Sequence, residues 1–223
     1  MKLSAETINV LENFSKLNSG IQFKKGNIIK SISSGKTVLA KAVLKDTFPQ
    51  DFCVYDLNQF LMVYKLNKDT DVDFDDSNII FKSGRSEIKY RKTASDMIIL
   101  APEKELSLTS TEITFTLSQE DYASILKTAS VLQSPNIAVQ SNGDDVNLVA
   151  FDAKNDSAHN NSIRVADGNG TKYKMTFSTE NWKMIPDTYT VQISSKGLSH
   201  FANKSGDIQY WIAIDSKTSK YGE

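Results

Sequence analysis

Leu3-Ser4-Ala5-Glu6-Thr7-Ile8-Asn9-Val10-Leu11-Glu12-Asn13-Phe14-Ser15-Lys16-Leu17 is the stretch on which the reading of this chain turns. Ile8, Leu11 and Phe14 recur at three-residue spacing, and Thr7 and Val10 join them in one core-facing stripe of an amphipathic helix. Ser4 stands before the stripe as an N-cap, and Asn18-Ser19-Gly20 follows it as a stop. The other side presents Ala5, Asn9, Glu12, Asn13 and Lys16. The design returns three times. Residues 56–66 turn Leu57, Phe60, Leu61 and Tyr64 inward, and residues 118–132 do so with Tyr122, Ile125, Leu126, Ala129 and Leu132. Residues 179–185 make a shorter fourth piece that Pro186 ends. One lysine stands on or near the polar side of each: Lys16, Lys65, Lys127 and Lys183.

Strand-like segments fill the intervals. In the first half they are 21–24, 27–32, 37–44, 52–55, 72–74, 79–82, 87–91 and 97–100. Ala101-Pro102-Glu103-Lys104-Glu105 has the composition of a linker, and the pattern then restarts. The second half offers 111–117, 137–140, 146–151, 163–165, 172–177, 188–193, 198–202 and 208–214. Asn142-Gly143-Asp144-Asp145 and Asp167-Gly168-Asn169-Gly170 read as tight turns. The expectation is an α+β chain of two similar domains, 1–106 and 107–223, each with antiparallel sheets and helices on one side.

Composition limits what such a chain can do. Its 223 residues suffice for two cores, and 39% hydrophobic with 24% charged residues is ordinary for a globular protein. A net charge of −1 argues against an open, strongly basic nucleic-acid binder, so any polyanion-facing surface must be local. Cys53 is the single cysteine, which leaves no disulfide framework or thiolate cluster. The first residues lack the apolar run of a secretion signal, and no stretch approaches a membrane span, so the cytosol is expected.

The acidic run Asp69-Thr70-Asp71-Val72-Asp73-Phe74-Asp75-Asp76 invites a calcium reading and fails it. An EF-hand loop needs glycine at position six and glutamate at twelve. Those positions hold Phe74 and Ile80 counted from Asp69, or Asp76 and Lys82 counted from Asp71. His159 and His200 have no metal-ligand spacing, Ser199-His200 lacks the G-x-S-x-G elbow, and no helix pattern follows Gly168-Asn169-Gly170. No catalytic residue, metal or cofactor is expected. Recurrent cationic helices without chemistry point to holding a polyanion, because charges sharing one surface add into a field that phosphates feel.

Several blocks then resemble one family. Met1-Lys2-Leu3-Ser4, Leu11, Asn13-Phe14 and Asn18-Ser19-Gly20-Ile21 are similar to the opening of the sliding clamps of T-even-type bacteriophages. Tyr55-Asp56-Leu57-Asn58 with Phe60-Leu61 resembles that family's second helix, and Ala101-Pro102 with Lys104 its interdomain connector. Lys183-Met184, Pro186, Tyr189, Lys196-Gly197, Tyr210 and Ala213 resemble its closing segments.

The resemblance implies the DNA-clamp fold: antiparallel sheets outside and helices lining a ring, closed as a homotrimer of two-domain chains. It implies a non-enzymatic processivity factor that encircles duplex DNA without reading sequence, in the cytoplasm of the infected host cell. The implied partners are the replicative DNA polymerase, an ATP-dependent clamp loader and late-transcription factors. By the family's pattern Lys127 and Lys183 face DNA; helical phase adds Lys16, Lys65, Asn9 and Asn13. Ala5, Glu12 and Ser130 depart from it, standing where the family tends to carry basic residues. The polymerase pocket is expected near the connector, at Leu100, Pro102, Leu132 and Trp211. Two other readings stay open. One is a phage structural or adhesin-like β protein without a DNA role. The other is a nucleic-acid enzyme with metal at Asp71, Asp73 and Asp75.

Overall fold

Ser4 starts the first helix, α1 (Ala5–Phe14), by accepting the Thr7 N–H at 3.2 Å on its hydroxyl. Its own N–H donates to Asp46 Oδ2 at 2.7 Å, which ties the cap to a neighbouring strand. Partial burial pushes the Asp46 carboxyl up, but hydrogen bonds from Ser4 and Thr7 outweigh it and hold the group below its usual range. The computed structural model describes residues 1–67 and 69–222. The chain divides into two compact units, Met1–Lys104 and Glu105–Glu223.

The first unit continues with β1 (Ile21–Phe23), β2 (Gly26–Ile32), β3 (Val38–Phe48) and β4 (Phe52–Val54), then α2 (Leu57–Lys65). β5 (Asp71–Phe74), β6 (Asn78–Ser83), β7 (Ser86–Arg91) and a 3-10 turn at Ser95–Met97 follow. Within this unit the strands pair antiparallel in the orders β4-β1-β2-β3 and β5-β6-β7.

The buried face of α1 is Thr7, Val10, Leu11, Asn13 and Phe14, whereas Ile8 is half-exposed. The stripe therefore runs i, i+3, i+4, i+7 from Thr7, the true helical period, and not every third residue from Ile8. α2 is capped by Asp56, whose carboxylate accepts the Gln59 N–H at 3.0 Å, and buries Leu57, Phe60 and Leu61. Phe60 joins the two sheets: its ring lies 5.9 Å from Phe23 and 5.2 Å from Phe81. Phe23 in turn stacks on Phe52 at 4.5 Å. Cys53, which follows Phe52 in β4, is 6% exposed, and burial pushes its thiol up.

The second unit runs β8 (Ile113–Leu117), α3 (Gln119–Leu132), β9 (Asn136–Asn142), β10 (Asp145–Phe151), β11 (Asn161–Asp167) and β12 (Lys172–Ser178). After a 3-10 turn at Thr179–Asn181 come β13 (Tyr189–Ser194), β14 (Leu198–Asn203), β15 (Ile208–Ala213) and β16 (Lys220–Tyr221). Its antiparallel orders are β8-β13-β14-β15 and β11-β10-β9-β12-β16. Ser118 caps α3 by accepting the Asp121 N–H at 3.0 Å, and Tyr122, Ile125 and Ala129 are its buried residues.

Two expected elements are corrected. The fourth helix, 179–185, is a single 3-10 turn, and Lys183 lies beyond it in irregular chain. Trp182, Met184 and Ile185 are all buried, a spacing that no helical face supplies. The backbone here bonds to tyrosines instead of to its own turn. Tyr122 Oη donates to the Trp182 and Met184 carbonyls, Tyr189 Oη donates to the Ile185 carbonyl, and the Ile185 N–H donates to Tyr210 Oη. Segment 97–100 is no strand either: Met97, Ile99 and Leu100 are exposed by 61%, 40% and 42%.

Candidate nucleic-acid interface

Three helices among the described residues leave polar faces open to solvent. On α1 these are Ala5, Glu6 and Asn9, with Glu12 half-exposed; on α2, Asn58, Gln59, Met62 and Lys65. On α3 they are Glu120, Ala123, Ser124, Lys127, Ser130 and Val131. The short Ala123, Ser124 and Ser130 side chains leave Lys127 the one long cationic group on that face.

The lysines do not form one repeated device. Lys16 is exposed in the turn that follows α1, and α1 itself holds no cation. Lys65 is the last residue of α2, and Lys127 lies in the second half of α3. A lysine near a helix C-terminus is stabilised by about 0.3–1 kcal/mol through the helix dipole, whatever else it does. Only Lys65 is placed to gain from this, since neither α1 nor α3 has a basic residue in its last turn.

Lys65 is paired with the Glu12 carboxylate, so its charge is largely cancelled at the surface. Lys16 and Lys127 have no ion pair among the described residues. Lys183 is exposed between buried Trp182 and Met184, held in place by Tyr122 at the foot of α3. Asn9 is exposed. Asn13 is 6% exposed and part of the buried face of α1, so it offers nothing to a ligand in solvent. A polar residue one step off an apolar stripe can turn either way, and only packing decides.

The expected partner residues fall two in each unit. In the first, Leu100 is exposed and Pro102 half-buried, with its carbonyl accepting from Lys30 Nζ at 3.4 Å. Lys30 also donates to the Glu103 carbonyl at 3.0 Å, and Lys24 pairs with the Glu103 carboxylate at 3.4 Å, which pins this segment to β1 and β2. In the second, Leu132 ends α3 half-buried. Trp211 is 5% exposed and stacks on His200 at 4.7 Å, so it is a packing residue of the sheet. The sequence reading missed a depression of about 200 Å³ in this unit, lined by Met175, Gly197, Ile214, Tyr221, Lys196 and Lys220.

Asp73, Asp75 and His200 are engaged in local structure. Asp73 is held below its usual range by the Phe74 N–H and by Lys82 at 3.1 Å. Asp75 is held there by the Asn78 side chain and the Asn78 and Ser77 N–H groups, which close the β5–β6 turn. No group of three or more histidine, cysteine or acidic side chains among the described residues could hold a metal. Burial lowers the His200 imidazole, which sits between Gln209 Oε1 at 3.0 Å and Gln192 Oε1 at 3.4 Å.

With this geometry in place, likeness to known proteins narrows its meaning. Residues 4–100 match the family model of DNA polymerase processivity factors. The chain is 29% identical over 222 residues to the sliding clamp of Vibrio phage KVP40, an alignment covering 97% of this chain and all of that one. It is 28% identical over 226 residues to the sliding clamp of Enterobacteria phage T4, with 98% of this chain and 99% of the relative covered. Among solved structures it superposes on the proliferating cellular nuclear antigen of Entamoeba histolytica with a TM-score of 0.66 at 13% identity, covering 93% of this chain and 94% of that one. For the PCNA of Thermococcus kodakaraensis the TM-score is 0.67 at 13% identity, with 94% and 96% covered. At such identities the solved structures establish the fold alone, and it is the DNA-clamp fold.

Proposed function

We propose that this chain, a relative of the T-even-type phage sliding clamps along nearly its whole length, encircles duplex DNA and tethers the phage replicative polymerase for processive synthesis. The observation that carries the reading is the pairing of end-to-end clamp similarity with three polar, sparsely cationic helix faces. A ring holds DNA by topology, so its direct contacts must be weak enough to let it move, and they need not read bases. A few lysines among serine, asparagine and alanine suit that need. The adhesin-like alternative is not favoured by any relative, and the acidic run that suggested a nuclease is spent on turn and strand contacts.

Each unit would be one clamp domain. Three chains would then supply six domains, joined through sheet edges. β7 and β11 each end a sheet in their own unit and leave half their backbone groups without a strand partner. Pairing β7 of one copy with β11 of the next joins unlike edges head to tail, the arrangement that closes into a ring. Half-buried Ile88 and Tyr90 on β7, and Ile163 and Val165 on β11, would line that seam.

Exposed Leu100, with Met97 and Ile99 beside it, is the better candidate for docking an apolar polymerase peptide; buried Trp211 is not. An ATP-driven loader would open the ring, since the chain has no phosphate-binding motif of its own, and late-transcription factors would share its outer face. The working place is the cytoplasm of the infected cell; no described helix is long and apolar enough to cross a membrane. The test is primer extension on singly primed circular DNA with polymerase and loader, alongside light scattering. Longer products and a mass of three chains are expected. A monomer that leaves product length unchanged would overturn the reading.

A further inference from the structure

The outward side of α1 has the wrong sign for a helix that lies against DNA. Its ten residues include Glu6 and Glu12 and no lysine or arginine. Each carboxylate is engaged by a lysine from a different neighbour: Lys45 on β3 reaches Glu6, and Lys65 at the end of α2 reaches Glu12. All four side chains keep substantial exposure, between 44% and 69%. These pairs add little to folding. Their effect is on the field outside the protein.

An isolated lysine on a wet surface projects a positive potential over about one Debye length, near 10 Å at 0.1 M salt. A lysine in contact with a carboxylate projects only the weaker, shorter-ranged field of a dipole. A phosphate approaching Lys65 therefore meets Glu12 at the same moment, whereas one approaching Lys127 on α3 meets no paired carboxylate.

Resting on the DNA-encircling reading above, we infer that Glu12 masks Lys65, as Glu6 masks Lys45. Among the described residues the helix face of the first unit then keeps only Lys16 as an unpaired cation and holds the phosphate backbone weakly. Phosphate contact then falls to the unpaired lysines, Lys127 on α3 and Lys16 in the turn after α1, and not to Lys65. Glu12 is then a residue that sets how tightly the clamp holds DNA, although it touches none. Counterion release gives the scale: each phosphate contact adds about 0.9 to the salt slope, which is about 3.5-fold in affinity over a fourfold change in salt.

The experiment is fluorescence anisotropy of a labelled 30-base-pair duplex with the purified, assembled protein at 50 and 200 mM sodium chloride. Thermal unfolding of every variant serves as the check on folding. Glu12→Gln should tighten binding at least threefold at the lower salt and steepen the salt dependence by about one contact per chain. Lys65→Gln alone should change binding less than twofold, and Glu12→Gln with Lys65→Gln should return it to within twofold of the parent. Lys127→Gln, which removes one cation per chain and so three per ring, should weaken binding more than threefold and flatten the salt dependence. If Lys127→Gln weakens binding while Glu12→Gln changes neither affinity nor slope, the DNA face stands and the masking is wrong. The masking is equally wrong if Lys65→Gln alone weakens binding as much as Lys127→Gln. If no variant alters binding, the helix faces are not the DNA-facing surface and the masking is wrong, while the encircling reading stands or falls on the primer-extension and light-scattering test.

Discussion

The Tyr122 hydroxyl on α3 lies 3.0 Å from the carbonyl oxygens of both Trp182 and Met184, the two residues that flank Lys183. The contact holds a non-helical segment where a fourth helix was expected and sets where Lys183 can reach. Trp182 and Met184 are 2% and 4% exposed, so neither carbonyl can turn to water instead. Tyr122→Phe should destabilise the second unit by about 1–3 kcal/mol, the range for leaving buried polar groups unpaired. Chemical denaturation measures the loss, and an unchanged midpoint would show that the segment is held by packing alone.

Burial raises the phenols of Tyr122, Tyr189 and Tyr210, and pushes Tyr173 up to about 12. An unfolded tyrosine ionises near pH 10. A folded value above the unfolded one means stability that is whole below about pH 10 and is lost as pH rises through the folded value. Urea midpoints should therefore hold steady up to about pH 10 and drop beyond it. Ultraviolet titration should show the buried phenolates forming only as near-ultraviolet dichroism collapses. Early, independent ionisation with the dichroism intact would contradict the buried tyrosine cluster.

Gly168 marks where two hairpin turns meet. Its N–H donates to the Asp144 carbonyl at 2.6 Å, and a Cβ there would overlap the Gly143 carbonyl oxygen. Those atoms are backbone and cannot swing aside. Gly168→Ala should destabilise the second unit by about 1–3 kcal/mol, the usual range for overpacking. Calorimetry of the variant tests it, with Gly35→Ala as a control, because a Cβ at Gly35 meets nothing closer than 3.9 Å.

Lys127 and Lys183 are exposed, so reversing both charges should leave the fold alone. Lys127→Glu combined with Lys183→Glu should shorten primer-extension products severalfold at 50 mM salt while the melting temperature stays within about 2 °C. Full processivity in the double variant would remove these two lysines from the DNA face.

The three true helices could be read from sequence because their signals are local. Ser4, Asp56 and Ser118 each cap a helix by accepting an N–H three residues on. The fourth failed because much of what shapes residues 182–185 comes from far away, through tyrosines at 122 and 210, with Tyr189 adding a nearer bond. Segment 97–100 misled because its apolar residues face outward, and a short apolar run carries no mark of which side is covered. The candidate site divided in the same way. Lysines and helix phase are visible in a sequence; the Lys65–Glu12 and Lys45–Glu6 pairs join residues 53 and 39 positions apart and are not. Asn13, read as outward, turned inward because the stripe begins at Thr7.

Cys53 has a practical consequence. It is the only thiol in the sequence, 6% exposed, and burial pushes it up so that it stays protonated at neutral pH. Maleimide reagents attack thiolates, so the parent protein should remain unlabelled at neutral pH. Ser34→Cys, in the exposed β2–β3 turn and away from the helix faces, would then accept a single fluorophore per subunit, and the travel of one molecule along stretched DNA could be filmed without first stripping out a native reactive group.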